Sequence, residues 1–122
     1  MYEGEEAAKG DGVRVGFVTA GGKEEARKIA SALVDERLVA CVNIIPGVES
    51  VYEWEGKVEM GEEVLMMLKT TKEKEEELTN RIRALHSYDE PEVIFTSIQG
   101  GSGSYLDWVR TQTRLPKIER SE

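Results

Sequence analysis

Apolar and polar positions alternate through "VRVGFVT" (13–19), placing Val13, Val15 and Phe17 on one side and Gly16 and Val18 on the other. That pattern predicts a strand with two partly covered faces. After the turn "AGG" the period changes. Ala26, Ile29, Ala30, Leu33, Val34 and Leu38 recur at helical spacing with charges opposite, and Glu24 and Glu25 sit in the first turn, where the helix dipole favours them. "VACVNII" (39–45) is a continuous apolar run, as expected of an inner strand. Pro46-Gly47 bends it. Alternation then resumes, with Val48, Ser50, Tyr52 and Trp54 on one face and Glu49, Val51, Glu53 and Glu55 on the other. Residues 39–55 thus read as one long, bent strand. Gly56 and Gly61 bracket a loop or hairpin end, and "EEVLMMLKTT" (62–71) returns as an apolar strand.

A second helix comes next. Thr70 and Glu73 have capping-box spacing, acids fill the early turns, and Arg81, Arg83 and His86 lie near the end. Leu78, Ile82 and Leu85 form its apolar stripe. "EVIFTSIQ" (92–99) reads as the last strand, "GGSGS" as a glycine turn, and "SYLDWVRTQTR" as a closing helix with Ser104 and Asp107 at capping spacing. Tyr105 and Trp108, one turn apart, are expected in the core. The order β-α-β-β-α-β-α, with right-handed crossovers, is that of an α+β, ferredoxin-like split βαββαβ sandwich carrying an extended hairpin and a C-terminal helix. Two helices cover one sheet face. Leu65, Met67, Ile94 or Ile98, and Val18 cannot all hide beneath them, and the long strand outruns the sheet. Bare apolar sheet and an unpaired edge predict a partner, most economically further copies of the same chain.

Residues 1–12 are polar, acidic and glycine-bearing and read as a disordered tail, and 115–122 as a loose one, leaving 13–114 as a single folded domain. The net charge of −8 argues against a nucleic-acid partner and against docking on anionic membrane. No apolar run approaches the ~18 residues of a membrane span, and the first residues lack the basic and apolar regions of a signal peptide. One cysteine cannot form an intrachain disulfide. Together these features give a cytoplasmic reading.

Candidate chemistry is sparse. His86, the only histidine, lies in "ALHSYDEPEV" beside Tyr88, Asp89, Glu90 and Glu92. At a helix end it can serve the terminal carbonyls, or its ring can ligate a borderline metal together with carboxylates such as Glu92. Cys41, within an apolar strand, is by base rate a small buried hydrophobe, and otherwise a soft ligand for Cu(I). A closed zinc site within one chain is excluded, because four ligands are needed and one histidine and one cysteine are available. Lys69 is the lone charge in "VLMMLKTT" and needs a partner, either Glu63 or Glu92, or an anionic ligand. Tyr52 and Trp54 share a face and fit packing against a neighbouring subunit or helix, the other reading being that they line a cleft. No serine elbow or nucleophilic triad is present, so the chain reads as non-enzymatic.

"LVACVNIIPGVESVYEWEGKVE", "EEVLMMLKTT", "LHSYDEPEVI" and "SYLDWV", in this order and spacing, resemble the CutA divalent-cation-tolerance family from about Val13 to Arg114. The resemblance implies PII-like homotrimers of ferredoxin-like subunits whose hairpins pair between copies, and a non-catalytic link to copper and other divalent metals. The family's strand cysteine matches Cys41 and its histidine matches His86. The proline that usually comes after that histidine is Ser87 here, while Tyr88, Pro91 and Glu92 match. Val18 stands where some bacterial members carry a further cysteine implicated in copper binding. The resemblance also implies an intersubunit cleft, expected to be lined by Trp54, Lys69, Tyr88, Tyr105, Trp108 and Glu63. His86, Cys41 and Glu92 are its metal candidates, and copper is the leading ion. The alternative is a PII-like sensor or scaffold whose cleft takes a small anion through Lys69.

Overall fold

Thr70 is not the helix cap its spacing predicts. Its hydroxyl donates instead to the carbonyl of Leu38, 2.7 Å away in a fully buried position. The strand it belongs to simply continues to Thr71. The computed structural model describes residues 7–119. Their elements are β1 (Ala8–Lys9), β2 (Val13–Ala20), α1 (Lys23–Asp35), β3 (Cys41–Trp54), β4 (Lys57–Thr71), a 3-10 turn (Lys72–Lys74), α2 (Glu75–Leu85), β5 (Ile94–Ser97), β6 (Gly100–Gly101) and α3 (Gly103–Gln112).

The main sheet is antiparallel throughout, in the order β3-β4-β2-β5. This is the α+β, ferredoxin-like arrangement. One face carries the core. Val18 and Ala20 of β2 and Val64, Met66 and Leu68 of β4 meet Ala26, Ile29, Ala30 and Leu33 of α1 and Leu78 and Ile82 of α2. These stripes are the ones the helical period picks out. Arg81 grips Glu36 with two parallel hydrogen bonds of 2.9 Å, fixing α2 against the end of α1. Val18, expected on the bare face, is instead fully buried under the helices.

The bare face is formed by the opposite parity. Register pairs Val15 with Lys69, Phe17 with Met67 and Thr19 with Leu65 on one side of β4, and Cys41, Asn43 and Ile45 with the same three residues on the other. Ile94 and Thr96 of β5 extend this row beyond Phe17 and Val15. Leu65 and Met67 are half-buried and Ile45 and Ile94 exposed, so an apolar sheet surface lies open in the single chain.

Beyond Val64, β4 has lost β2 and pairs only with β3. The ribbon 48–54 against 57–63 projects about 23 Å at ~3.3 Å per residue. A one-residue bulge between Ile45 and Val48, with Gly47 at φ 81°, bends its root. At its tip Glu55 (φ 50°) and Gly56 (φ 80°) supply the two left-handed positions of a tight hairpin turn. Val51, Trp54, Val58 and Met60 are between 62% and 77% exposed. A lone two-stranded ribbon is marginal in water, and large apolar side chains exposed along it are of the kind that mark interaction sites.

The ends depart from expectation. Within the tail 1–12, Ala8 and Lys9 pair with Gly101 and Gly100, so "GGSGS" contributes a short strand as well as a turn. The approach is so close that a Cβ at Gly10 would collide with the Ile98 carbonyl. Residues 1–6 and 120–122 lie outside the described part. The expected loose end is tied as far as Ile118, whose N–H reaches the Asp35 carbonyl, while Arg37 donates to the Pro116 carbonyl. The residue at the N-cap of α3 is Ser102 rather than Ser104, and Asp107 pairs with Arg110. The helix seats Leu106 and Val109 against Val13, leaving Tyr105 (45%) and Trp108 (41%) outside rather than in the core.

Candidate functional site

His86 is positioned by three elements. α2 ends at Leu85, where the His86 backbone turns extended while its N–H still bonds the Ile82 carbonyl. β5 pairs with β2 only as far as Phe17, and the Thr19 carbonyl beyond it is taken by the His86 ring. Nε2 lies 2.8 Å from Thr19 O, and Nδ1 lies 3.0 Å from the backbone nitrogen of Tyr88. A carbonyl can only accept and an amide N–H can only donate. Nε2 therefore carries the hydrogen and Nδ1 offers the lone pair. The imidazole is wholly enclosed, with the Tyr88 ring tilted against it at 4.6 Å.

From there the contacts run outward to the ribbon. Tyr88 donates its hydroxyl to Glu63 Oε2 at 2.9 Å, at the point where β4 leaves the sheet. Glu25, in the first turn of α1, accepts the Ser87 N–H at 2.7 Å, and its carboxylate stands 3.9 Å from His86 Nδ1. Burial works against the Glu25 charge, but the Ser87 hydrogen bonds, the neighbouring imidazole and a Gly21 backbone bond outweigh it and hold the carboxyl below its ordinary value. Burial first, then the hydrogen bond and charge of Glu63, push the Tyr88 phenol up to about 12.

That shift has a definite pH signature. A folded-state value above the ordinary phenol near 10 means the stabilisation is complete below about pH 10 and lost as pH climbs towards about 12. An absorbance titration of the four tyrosines is expected to show one ionising near pH 12, a step that Tyr88→Phe removes and Glu63→Gln lowers. Ionisation of every tyrosine at about pH 10 would contradict the contact.

A second group sits at the other end of the open face. Cys41, half-buried, is opposite Lys69 on β4, with Val15 on the far side of Lys69. Tyr105 lies close enough to Cys41 that burial, and then the thiol, raise its phenol above the usual value. Tyr105 and Trp108 stack obliquely at 5.6 Å. Lys69 makes no ion pair among the described residues, and its expected partner Glu63 is held by Tyr88 instead.

Within one chain the residues expected to line the cleft fall into two groups. Tyr88 and Glu63 meet beside His86, whereas Cys41, Lys69, Tyr105 and Trp108 gather elsewhere. The register places Lys69 four residues along β4 from Leu65, the partner of Thr19, or about 13 Å. Trp54 stands at the ribbon tip and Glu92 is exposed just ahead of β5. No cluster of three histidine, cysteine or carboxylate side chains fit to hold a metal occurs among the described residues. One hollow between α1 and α2 is lined by Glu24, Glu25, Lys28, Ile29 and Leu85, so it borders the His86 site through Glu25, and another lies between α2 and β5 at Thr79, Val93 and Phe95. Sequence reasoning missed Glu25 and Thr19. Glu25 is legible only as a dipole charge, and Thr19 acts through its backbone, which no side-chain pattern reports.

A family model described as "CutA1 divalent ion tolerance protein" matches residues 14–112. The chain is 48% identical over 110 residues to "Protein CutA, chloroplastic" of Arabidopsis thaliana, covering 90% of this chain and 60% of that protein's length. It is 46% identical over 97 residues to the "Divalent-cation tolerance protein CutA" of Thermus thermophilus, covering 80% and 94%. Among solved structures, CutA from Synechococcus elongatus superposes with a TM-score of 0.85 at 30% identity, covering 88% of this chain and 96% of the other. CutA1 from Oryza sativa superposes at 0.83 with 44% identity, covering 85% and 95%. No helix among the described residues is long and apolar enough to cross a membrane.

Proposed function

Because the chain belongs to the CutA1 divalent ion tolerance family, we propose that it acts in divalent-metal tolerance by binding, as an assembly of three copies, with copper the leading ion. The family is one of non-enzymatic tolerance proteins. The observation that carries the assembly is the open apolar face continuous with a bare ribbon, both of which demand protein cover. Three copies closing on these surfaces would turn the open face into shared clefts lined by Trp54, Lys69, Tyr88, Tyr105, Trp108 and Glu63.

Within one chain the metal candidates do not form a coordination set. Cys41 and Glu92 keep donor atoms available, a soft thiol and a hard carboxylate, while both ring nitrogens of His86 are committed. Metal contact therefore falls to groups completed by another copy, with Cys41 the ligand for Cu(I). Competition against a chromophoric Cu(I) chelator tests this. Cys41→Ser is expected to weaken binding by about tenfold or more, and equal affinity in both proteins would remove Cys41 as a ligand.

One observation favours a second reading. Lys69 is a half-buried cation with no carboxylate partner among the described residues, which suits a small anionic ligand in a sensor or scaffold of the PII type. Nucleotides and carboxylate metabolites would then raise the thermal midpoint in the wild type and not in Lys69→Met. The lone cysteine and acidic charge support a cytoplasmic setting, although named relatives include chloroplastic and periplasmic proteins.

A further inference from the structure

We infer that His86 is the pin that holds the Tyr88 segment against the root of the ribbon, and that it is a positioning residue rather than a metal ligand. An imidazole ligates a metal through a nitrogen lone pair. Here Nε2–H is donated to Thr19 O and the only lone pair, on Nδ1, is occupied by the Tyr88 N–H. Metal binding at either nitrogen would have to break one of these bonds, leaving the buried Thr19 carbonyl or the part-buried Tyr88 N–H without its partner. No approach is open either, since the side chain has no exposed surface.

The same two bonds explain what the ring does. Thr19 is the penultimate residue of β2, beyond the last β5 pair, and Tyr88 belongs to the segment that links α2 to β5. Joined through one rigid ring, they fix the Tyr88 backbone, and the Tyr88 hydroxyl then reaches Glu63 at the ribbon root. Glu25 braces the neighbouring Ser87 from α1. The buried ring thus connects the rigid sheet to the element that must meet another copy, through groups wholly within one chain.

The two roles separate cleanly in substitution. Glutamine carries a donor and an acceptor about as far apart as the two ring nitrogens, so it can keep both backbone bonds, but it lacks the imidazole lone pair that a metal prefers. Alanine keeps neither. In the untagged 122-residue chain, His86→Gln is expected to bind zinc and copper within about twofold of wild type and to retain the late ionisation of Tyr88. His86→Ala is expected to lose that late ionisation and several degrees of thermal midpoint. Because the chain has one histidine, its ring ¹⁵N resonances need no assignment. They should report the Nε2–H tautomer and stay in place when Zn(II) is added. Movement of either ring nitrogen on adding zinc would overturn the inference. So would a tenfold loss of metal affinity in His86→Gln, or a glutamine variant no better than alanine at keeping the Tyr88 titration. Should the alanine variant fail to fold, the wild-type ring spectrum decides alone.

Discussion

Replacing Leu65 and Met67 together by glutamate is expected to split the proposed three-copy assembly into folded single chains of about 13.7 kDa. Both side chains lie on the open face at the centre of the sheet, with Ile45 and Thr19 flanking one and Asn43 and Phe17 flanking the other. Neither touches the core under α1 and α2, which uses the opposite parity of the strand. If the open face were wet in the working protein, these would be surface changes costing about 0.5 kcal/mol or less. If it is covered by other copies, each change buries an unpaired carboxylate at a cost of at least about 3 kcal/mol. Two per chain then weaken association by about four orders of magnitude. Sedimentation of the double variant discriminates: a variant that sediments like the wild type would mean that the face is not the contact. Arg27→Glu, on the exposed side of α1, serves as the control that changes charge without touching the face.

Leu33→Ala is expected to cost about 3 kcal/mol, a large fraction of the stability of a domain this size. Leu33 is fully buried on α1, within the cluster that joins Val18, Met66 and Leu68 of the sheet to Leu78 and Ile82 of α2. Truncation removes the transfer energy of its methyl groups and leaves a void at the meeting point of three elements, which the two-helix layer cannot close without moving α2. The measurement is the denaturation midpoint at a fixed protein concentration, because association shifts apparent stability by mass action. A change below about 1 kcal/mol would mean that α1 is not seated as described.

Much of this architecture is legible in the sequence because its signals are periodic. The stripes Ala26-Ile29-Ala30-Leu33 and Leu78-Ile82 name the helix faces, and alternation through 62–71 divides Leu65 and Met67 from Met66 and Leu68. Val18 shows where period runs out. Alternation says that it differs from Phe17, but which parity the helices cover depends on a crossover between elements far apart in the chain. α3 shows the same limit from another side. Tyr105 and Trp108 are spaced i, i+3, and so are Leu106 and Val109, one residue out of phase. Only docking against Val13, Ala40 and Ile98 selects the aliphatic pair, leaving Tyr105 and Trp108 partly exposed.

Other features leave no hydrophobic trace. The pairing of Ala8-Lys9 with Gly100-Gly101 rests on backbone approach, which only the glycines hint at. Thr70 has cap spacing, yet a strand carries it to the Leu38 carbonyl before any helix begins. At the candidate site the residue types are visible and their partners are not. His86 is bound by one backbone carbonyl and one backbone N–H, so no side-chain pattern could distinguish a ligand from a pin.

A single copy leaves an apolar sheet face and a projecting ribbon bare, and in the proposed assembly two more copies cover them. Sedimentation equilibrium of the untagged protein at about micromolar concentration tests this directly. A mass of about 41 kDa, three times the 13.7 kDa chain and unchanged on tenfold dilution, is the predicted result. A stable, folded species of 13.7 kDa at that concentration would contradict it.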